Sequence, residues 1–472
     1  MFNLNFKNMK KSLFVAATGM LLLSACSNEE PINGGNPEED LQGQELVMKV
    51  VNTGDGLTSR AGRPLLSSEA AQSIDKVKLA IFKINDGTKT IEKCVFVKEF
   101  ANWTTDSELY GGTTVDGKND HGRYASLNLK KEIAEGQKGL DEGSYMVYAV
   151  GYNSNKSVYT YEPGLDAIVK DWASASTFKS VKATTAGDAE EIFAGSIAEI
   201  KVDAKRNFVV AEAGHPDNNI LYLHRQVAGA FGYFMNIPAV GPDGTAATHL
   251  RLVASAKNMT LNMTKFNTDF RTTGKGVKYV VNGEAGNVPA VADAKFKGGD
   301  NGYVVYNIKI TDWFANGDSN KDGVFGKGDT WDIPAAITDN AEFNAINGSL
   351  FAGNFVIPFA NQNKTTFELQ LVNGEGASAK ILRTWTVNLK AAQTGVVGLE
   401  NDTELLNETA SSYSIVRNHL YTIGRKDVAN PTNPTTPTDP ENPEDLSKGQ
   451  ILTLRVNDNW EVVNQLEVEP EI

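Results

Sequence analysis

Cysteine is nearly absent from this 472-residue chain, with Cys26 and Cys94 as the only two. Two thiols can build neither a disulfide framework nor a thiolate zinc cluster, so the fold must be held by its own core. Histidine is almost as sparse. His121, His215, His224, His249 and His419 are scattered, with no HExxH and no His/Cys pair among them. A GxSxG elbow is missing, and Gly323-Val324-Phe325-Gly326-Lys327-Gly328 lacks the spacing and final Ser/Thr of a phosphate loop. Basic charge is in deficit: 45 Lys plus Arg against 58 Asp plus Glu leave −13. That is the wrong sign for a nucleic-acid partner, which requires a surface that neutralises phosphate. Past the N-terminus no segment reaches 18 consecutive apolar residues, so no transmembrane helix is expected there. Acidic side chains abound, but one sequence cannot pair two of them as a glycosidase would. The expectation is a protein that is not an enzyme and has no catalytic cofactor.

What is present begins with an address. Lys7, Lys10 and Lys11 precede an apolar run, Leu13–Leu23, that is too short to remain as a membrane span. Small residues follow, so residues 1–25 read as a signal peptide. Leu23-Ser24-Ala25-Cys26 resembles a bacterial lipobox, which implies that Cys26 becomes the lipid-modified first residue; a plain secretory peptide is the alternative. Stable anchoring takes two membrane signals, and lipoprotein processing supplies them. Ser27-Asn28-Glu29-Glu30 resembles an export signal of outer-membrane lipoproteins. Cys94 then has no partner within the chain and reads as a small buried hydrophobe.

The remainder reads as β-sheet. Short β-branched and aromatic runs alternate with Gly, Asn and Asp clusters: Val77–Ile84, Tyr145–Tyr152, Leu250–Ala254, Tyr303–Ile310, Phe355–Phe359, Phe367–Val372 and Ile381–Leu389. Runs of this length bounded by turn residues are strands of sandwiches or barrels. Only Ser67–Ile74 and Ala167–Ala173 suggest short helices. Residues 27–44 form a polar tether without material for a core. In residues 430–446, prolines recur every third position from Pro431 to Pro443, which favours an extended polyproline spacer. The 385 residues between the tethers are too many for one sandwich, and Gly214–Asn219 is the best internal boundary.

The two ends match each other. Glu45–Val51 alternates Leu46, Met48 and Val50 on one face and reads as a first strand. A polar stretch follows, Thr58-Ser59-Arg60-Ala61-Gly62-Arg63, suited to protease access. Removing that strand would expose a groove of unpaired backbone that another strand could fill. Beyond the spacer, residues 447–472 alternate again. Leu452, Leu454 and Val456 share one face, as do Trp460, Val462, Leu466 and Val468, with Asn464 the polar exception. Two strands alone are marginal in water, so this tail needs another sheet, either its own chain's or a neighbour's.

This order of lipobox, short strand, Arg-bearing loop, β domains, proline spacer and alternating tail resembles the fimbrillin (type V pilin) family. Local support comes from Arg225-Gln226-Val227-Ala228, from Val416-Arg417-Asn418-His419-Leu420-Tyr421-Thr422-Ile423, and from the tail around Trp460. The resemblance implies an all-β chain of two transthyretin-like antiparallel sandwiches in tandem. Its segments would be a 26–60 propeptide, domains at 61–218 and 219–429, a 430–446 spacer and a 447–472 donor tail. It also implies an outer-membrane lipoprotein precursor, cut between Arg60 and Ala61 by an Arg-specific extracellular protease. Arg63 ranks second as a cut site because Pro64 hinders cleavage after it. The implied product is a stalk subunit of a surface fimbria that polymerises by strand donation. Its partners would be other copies and other fimbrial subunits, with host surface ligands left open. The competing expectation is a monomeric surface lipoprotein that binds glycans or host proteins.

A last motif, Asp318-Ser319-Asn320-Lys321-Asp322-Gly323 through Asp329, follows the spacing of a twelve-residue calcium loop. Asp318, Asn320, Asp322, the Val324 carbonyl and Asp329 would be the ligands. Asp329 stands where Glu is usual. The alternative is an Asp/Asn/Gly-rich turn without an ion.

Overall fold

The computed structural model describes residues 43–457 except 52–73, 116–117, 134–137, 156–157, 163–179, 184–187, 210–218, 264–281, 287–288, 336–344, 360–366, 390–414, 416, 418–419, 425–427, 431–432, 440–441 and 449–450. Cys26, the loop bearing Arg60, Ala61 and Arg63, both expected helices (Ile74 apart), and Trp460, Val462, Leu466 and Val468 lie outside the described residues. Within them the chain is all-β, and its α-helices are single turns at Trp103–Asp106 and Leu129–Glu132.

The first half carries β1 (Glu45–Val51), β2 (Lys76–Ile84), β3 (Ile91–Phe100), β4 (Glu108–Val115), β5 (Lys118–Asn128), β6 (Gly143–Tyr152), β7 (Tyr159–Glu162), β8 (Ser180–Ala183), β9 (Phe193–Val202), β10 (Phe208–Val209) and β11 (Ile220–Arg225). They form a sheet in the order β3-β2-β6-β9-β11-β1-β5-β4, with β10 beside β9 and β7 and β8 apart. The apolar runs explain the packing. Leu79, Ile81, Val147 and Ala149 face a core shared with Leu46, Met48, Val50 and Trp103. Their neighbours Ala80, Phe82, Tyr148 and Val150 face the opposite way, into a second core with Phe231, Phe351 and Trp385. A strand covered on both faces must be apolar continuously, and Leu79-Ala80-Ile81-Phe82 is.

The second half carries β12 (Ala228–Met235), β13 (Ile237–Pro238), β14 (His249–Ala254), β15 (Thr260–Leu261), β16 (Gly283–Glu284), β17 (Ala294–Lys295), β18 (Asn301–Lys309) and β19 (Val324–Phe325). It continues with β20 (Ser349–Val356), β21 (Phe367–Asn373), β22 (Lys380–Leu389), β23 (Leu420–Ile423), β24 (Val428–Asn430), β25 (Asn433–Asp439), β26 (Glu444–Asp445) and β27 (Ile451–Asn457). The main sheet here runs β17-β18-β14-β21-β22-β27-β23-β12-β20, with β26 beside β12.

The halves are stitched together. β8 pairs with β15, giving a small sheet β16-β15-β8-β7 drawn equally from both. With the shared second core, this makes the chain from Gly43 onward one compact unit. Strand β11 lies just past the expected boundary at 218/219 and still belongs to the first sheet; the change of sheet falls between Arg225 and Ala228. A buried ion pair marks that junction, Arg225 Nη2 to Glu191 Oε1 at 2.6 Å. The 430–446 segment is not a free extended spacer. β24 and β25 pair as an antiparallel ribbon, and β26 pairs with β12. Proline's fixed φ suits an extended two-stranded ribbon outside the main sheets, where each strand has an open edge and a missing ladder donor is tolerated.

Candidate strand-exchange site

The first strand is a plug in the middle of the first sheet. β1 pairs antiparallel with β5 along its whole length, from Glu45 opposite Asn128 to Val51 opposite Gly122. On its other side it runs parallel to β11, from Val47 beside Ile220 to Val50 beside Leu223. Val47 N donates to Asn219 O at 2.9 Å, and Asn219 Nδ2 to Glu45 O at 3.0 Å. Leu46, Met48 and Val50 are all fully buried, as their alternation requires. Burying three such side chains contributes roughly 5–9 kcal/mol gross. On the opposite face Lys49 Nζ sits 5.7 Å from the Tyr222 ring centroid, a cation–π contact.

Gln44, which no sequence pattern singles out, fastens the start of the plug. Its amide donates to Leu140 O at 2.9 Å and Arg206 O at 2.8 Å and accepts from Leu140 N at 2.7 Å. In sequence β1 leads to β2 through residues 52–73, and both its sheet neighbours are remote in sequence, so a cut in that segment separates β1 from β2 onward without interrupting any described strand.

The tail departs from expectation. Leu452, Leu454 and Val456 are read from sequence as donor-strand residues, with pairing inside their own chain as the alternative; they lie in β27, inside the second sheet of their own chain. β27 runs parallel to β22, Thr386 to Leu389 beside Ile451 to Leu454, and antiparallel to β23, where Thr422 opposes Arg455. Leu452 is 1% exposed. The physical reason is the gap itself: β22 and β23 would otherwise be two open edges in one sheet. β27 thus mirrors β1. Each has seven residues, one parallel and one antiparallel neighbour, and apolar residues at its second, fourth and sixth positions. Leu46, Met48 and Val50 correspond to Leu452, Leu454 and Val456, and Lys49 to Arg455.

The 318–329 loop is closed by its own hydrogen bonds. Asp329 Oδ1 accepts from the amides of Ser319 (2.8 Å) and Asn320 (3.2 Å), and Oδ2 from Gly326 N (2.9 Å). Asp318 accepts from the amides of Asp322 and Gly323, and Asp322 from Val324 N at 3.0 Å. Gly323 takes a φ of 89°, as the sharp turn needs. Among the described residues no three acidic, His or Cys side chains are grouped so as to hold a metal ion.

Fold and slot together define an all-β protein whose first strand is inserted between strands distant in sequence. No protein-family model matches the chain, and no curated protein matches it. Among solved structures it aligns with the tip fimbrial protein Mfa3 from Porphyromonas gingivalis, truncated at its C-terminus. The TM-score is 0.32 at 10% identity, over 80% of this chain and 94% of that one. A fimbrial assembly protein from Parabacteroides distasonis aligns at a TM-score of 0.30 and 12% identity, over 82% and 92% of the two chains. A candidate cell adhesion protein from Bacteroides eggerthii aligns at 0.35 and 13%, over 88% and 94%.

Proposed function

We propose that the chain is the precursor of a structural subunit of a cell-surface fimbria, activated by proteolysis and polymerised by strand donation. It is exported as a lipoprotein carrying its lipid on Cys26, and an Arg-specific extracellular protease cuts between Arg60 and Ala61. The observation that carries the reading is the position of β1, a central strand with Leu46, Met48 and Val50 fully buried, followed in sequence by an arginine-bearing segment. Once severed, β1 is held only by non-covalent contacts, and a competing strand from the C-terminal segment of another copy replaces it with equivalent burial and ladder bonds. Other fimbrial subunits offer the same kind of donor or acceptor.

The test is limited trypsin treatment of the purified precursor followed by SDS electrophoresis without boiling. Ladders of multimers are expected from the wild type and none from an Arg60→Ala/Arg63→Ala chain. Ladders from that double variant would remove the processing step, and a strictly monomeric wild type would favour a surface lipoprotein acting alone.

A further inference from the structure

We infer that the cleft where β18 meets β20 is a binding site for a neutral, hydroxyl-rich ligand the size of a sugar ring, with Lys257 and Asp188 as its polar contacts. This holds whether or not strands pass between subunits.

Two strands far apart in the order of the second sheet meet here. Asn354 Nδ2 of β20 donates to Val305 O of β18 at 3.0 Å, although no backbone ladder joins the two strands among the described residues. Val305 is the extra residue of a β-bulge: Leu252 opposes Tyr306 and Val253 opposes Val304, which leaves Val305 without a partner on β14. Bulges of this kind bend a strand and turn its groups aside, and they recur beside functional sites. Along the seam lies a cleft of about 410 Å³, counting the solvent at its mouth. Its floor is apolar, with Ala254, Val305, Phe355 and Ile357 all buried. Asp188, which is exposed and comes from the first half, and Lys257, half-buried just past β14, bring opposite charges to the lining. Asn258 Nδ2 braces the wall by donating to Pro358 O at 2.7 Å. The cleft thus draws on both halves of the chain, and junctions of that kind are where small-molecule sites concentrate.

The lining selects its ligand by charge. Burial holds the Lys257 amine below the ordinary lysine pKa, while Asp293 and Asp188 push the other way, so a partly dehydrated cation sits with carboxylates nearby. An anionic ligand would meet Asp188 and Asp293 on a chain of net charge −13. A cationic ligand would meet Lys257. A wholly apolar one would take water from both charges and give no hydrogen bond in return. A hydroxyl group satisfies both, because it donates to a carboxylate and accepts from an ammonium. A ring that carries several hydroxyls and lays its C–H face on the apolar floor meets every group in the cleft without adding charge. An apolar surface with a few placed polar groups is the usual composition of such sites.

The experiment is saturation-transfer NMR on the purified full chain. The probes are glucose, galactose and N-acetylglucosamine, with glucuronate and protonated glucosamine as charged counterparts. At least one neutral sugar should receive saturation with a Kd of about 1–10 mM. Lys257→Met, which keeps an apolar stem of similar length, and Asp188→Ala should each weaken it about tenfold or more. Asp243→Asn, in an exposed ion pair with Lys380 outside the cleft, should leave it unchanged. Asp188 is exposed, so its variant reports on the site even if Lys257→Met lowers the melting temperature. No saturation of any neutral sugar at about 50 mM would overturn the inference. So would binding that survives Asp188→Ala, and so would tighter binding of glucuronate or glucosamine, which would give the cleft to a charged ligand.

Discussion

Arg417 and Gln226 lie 191 positions apart and meet inside the molecule, where Arg417 Nη1 donates to Gln226 Oε1 at 3.0 Å. Asn282 Nδ2 donates to the same oxygen at 3.1 Å. The Gln226 amide in turn donates to His224 O at 2.7 Å and Ala194 O at 3.3 Å. Gln226 is fully buried and occupies the crossing from first to second sheet, so it ties both halves at one point. Replacing it with leucine removes an acceptor shared by two buried donors. A loss of about 2–4 kcal/mol is expected, read as a lower denaturant midpoint. A change under about 0.5 kcal/mol would show that the junction is held elsewhere.

The neighbouring ion pair should behave differently. Both Arg225 Nε (2.7 Å) and Nη2 (2.6 Å) reach Glu191 Oε1, and the two side chains are 3% and 2% exposed. The guanidinium also stacks 5.0 Å from the Phe193 ring centroid. Glu191→Leu alone takes from a buried cation the carboxylate that two of its nitrogens reach, and should cost about 3–5 kcal/mol. Adding Arg225→Met should recover most of that, because the pair's attraction is offset by the cost of dehydrating both groups. A double variant as unstable as the single one would mean that the pair contributes more than its removal penalty.

Much of this architecture is legible in the residues. Val77–Ile84, Tyr145–Tyr152, Leu250–Ala254, Phe367–Val372 and Ile381–Leu389 all fall on strands, since apolar runs of strand length bounded by turn residues leave little choice. Phe355–Phe359 is half right: its strand is Ser349–Val356, and Phe359 makes only an isolated bridge to Ile415. Glycine-bearing β4 and polar β5 escape notice because neither sequence holds a β-branched or aromatic apolar run. The alternation of Leu46, Met48 and Val50 marks a buried face, but not that β1 lies between β5 and β11. Parallel pairing with a strand some 170 positions away leaves no local trace. The same holds for β27, whose alternation fits a donated strand and a resident one equally.

The 318–329 loop offers a test that separates hydrogen bonding from ion binding. Asp329 is buried and accepts three loop amides. Asp329→Ala should therefore cost about 1–3 kcal/mol even with chelator present. An ion held by Asp318, Asn320, Asp322, the Val324 carbonyl and Asp329 would add a second effect: a rise in melting temperature with calcium that Asp329→Ala abolishes. Equal melting of wild type and variant in chelator would remove Asp329 as the brace of the loop.

Asp445 gives the docking of the C-terminal segment a pH dependence. Burial by itself would raise its pKa, but hydrogen bonds from Ser447, Lys448 and Asn236 outweigh that and hold it at about 2, below the ordinary 3.8. A carboxylate with a depressed folded-state pKa stabilises the fold above its unfolded value and loses that contribution as pH falls through the folded one. The stability owed to Asp445 is thus fully present above about pH 4 and disappears toward about pH 2. Asp445→Asn should melt below wild type at pH 6, and the gap should close by more than half at pH 2. Because Leu446 N on Met235 O is the next contact along the chain, the same acidification should loosen the approach to β27. In hydrogen exchange, amides 446–448 should lose protection in acid before those of β14, which both its neighbours pair along its length. A melting gap that stays constant from pH 6 to pH 2 would mean that the charge on Asp445 does not fasten this segment.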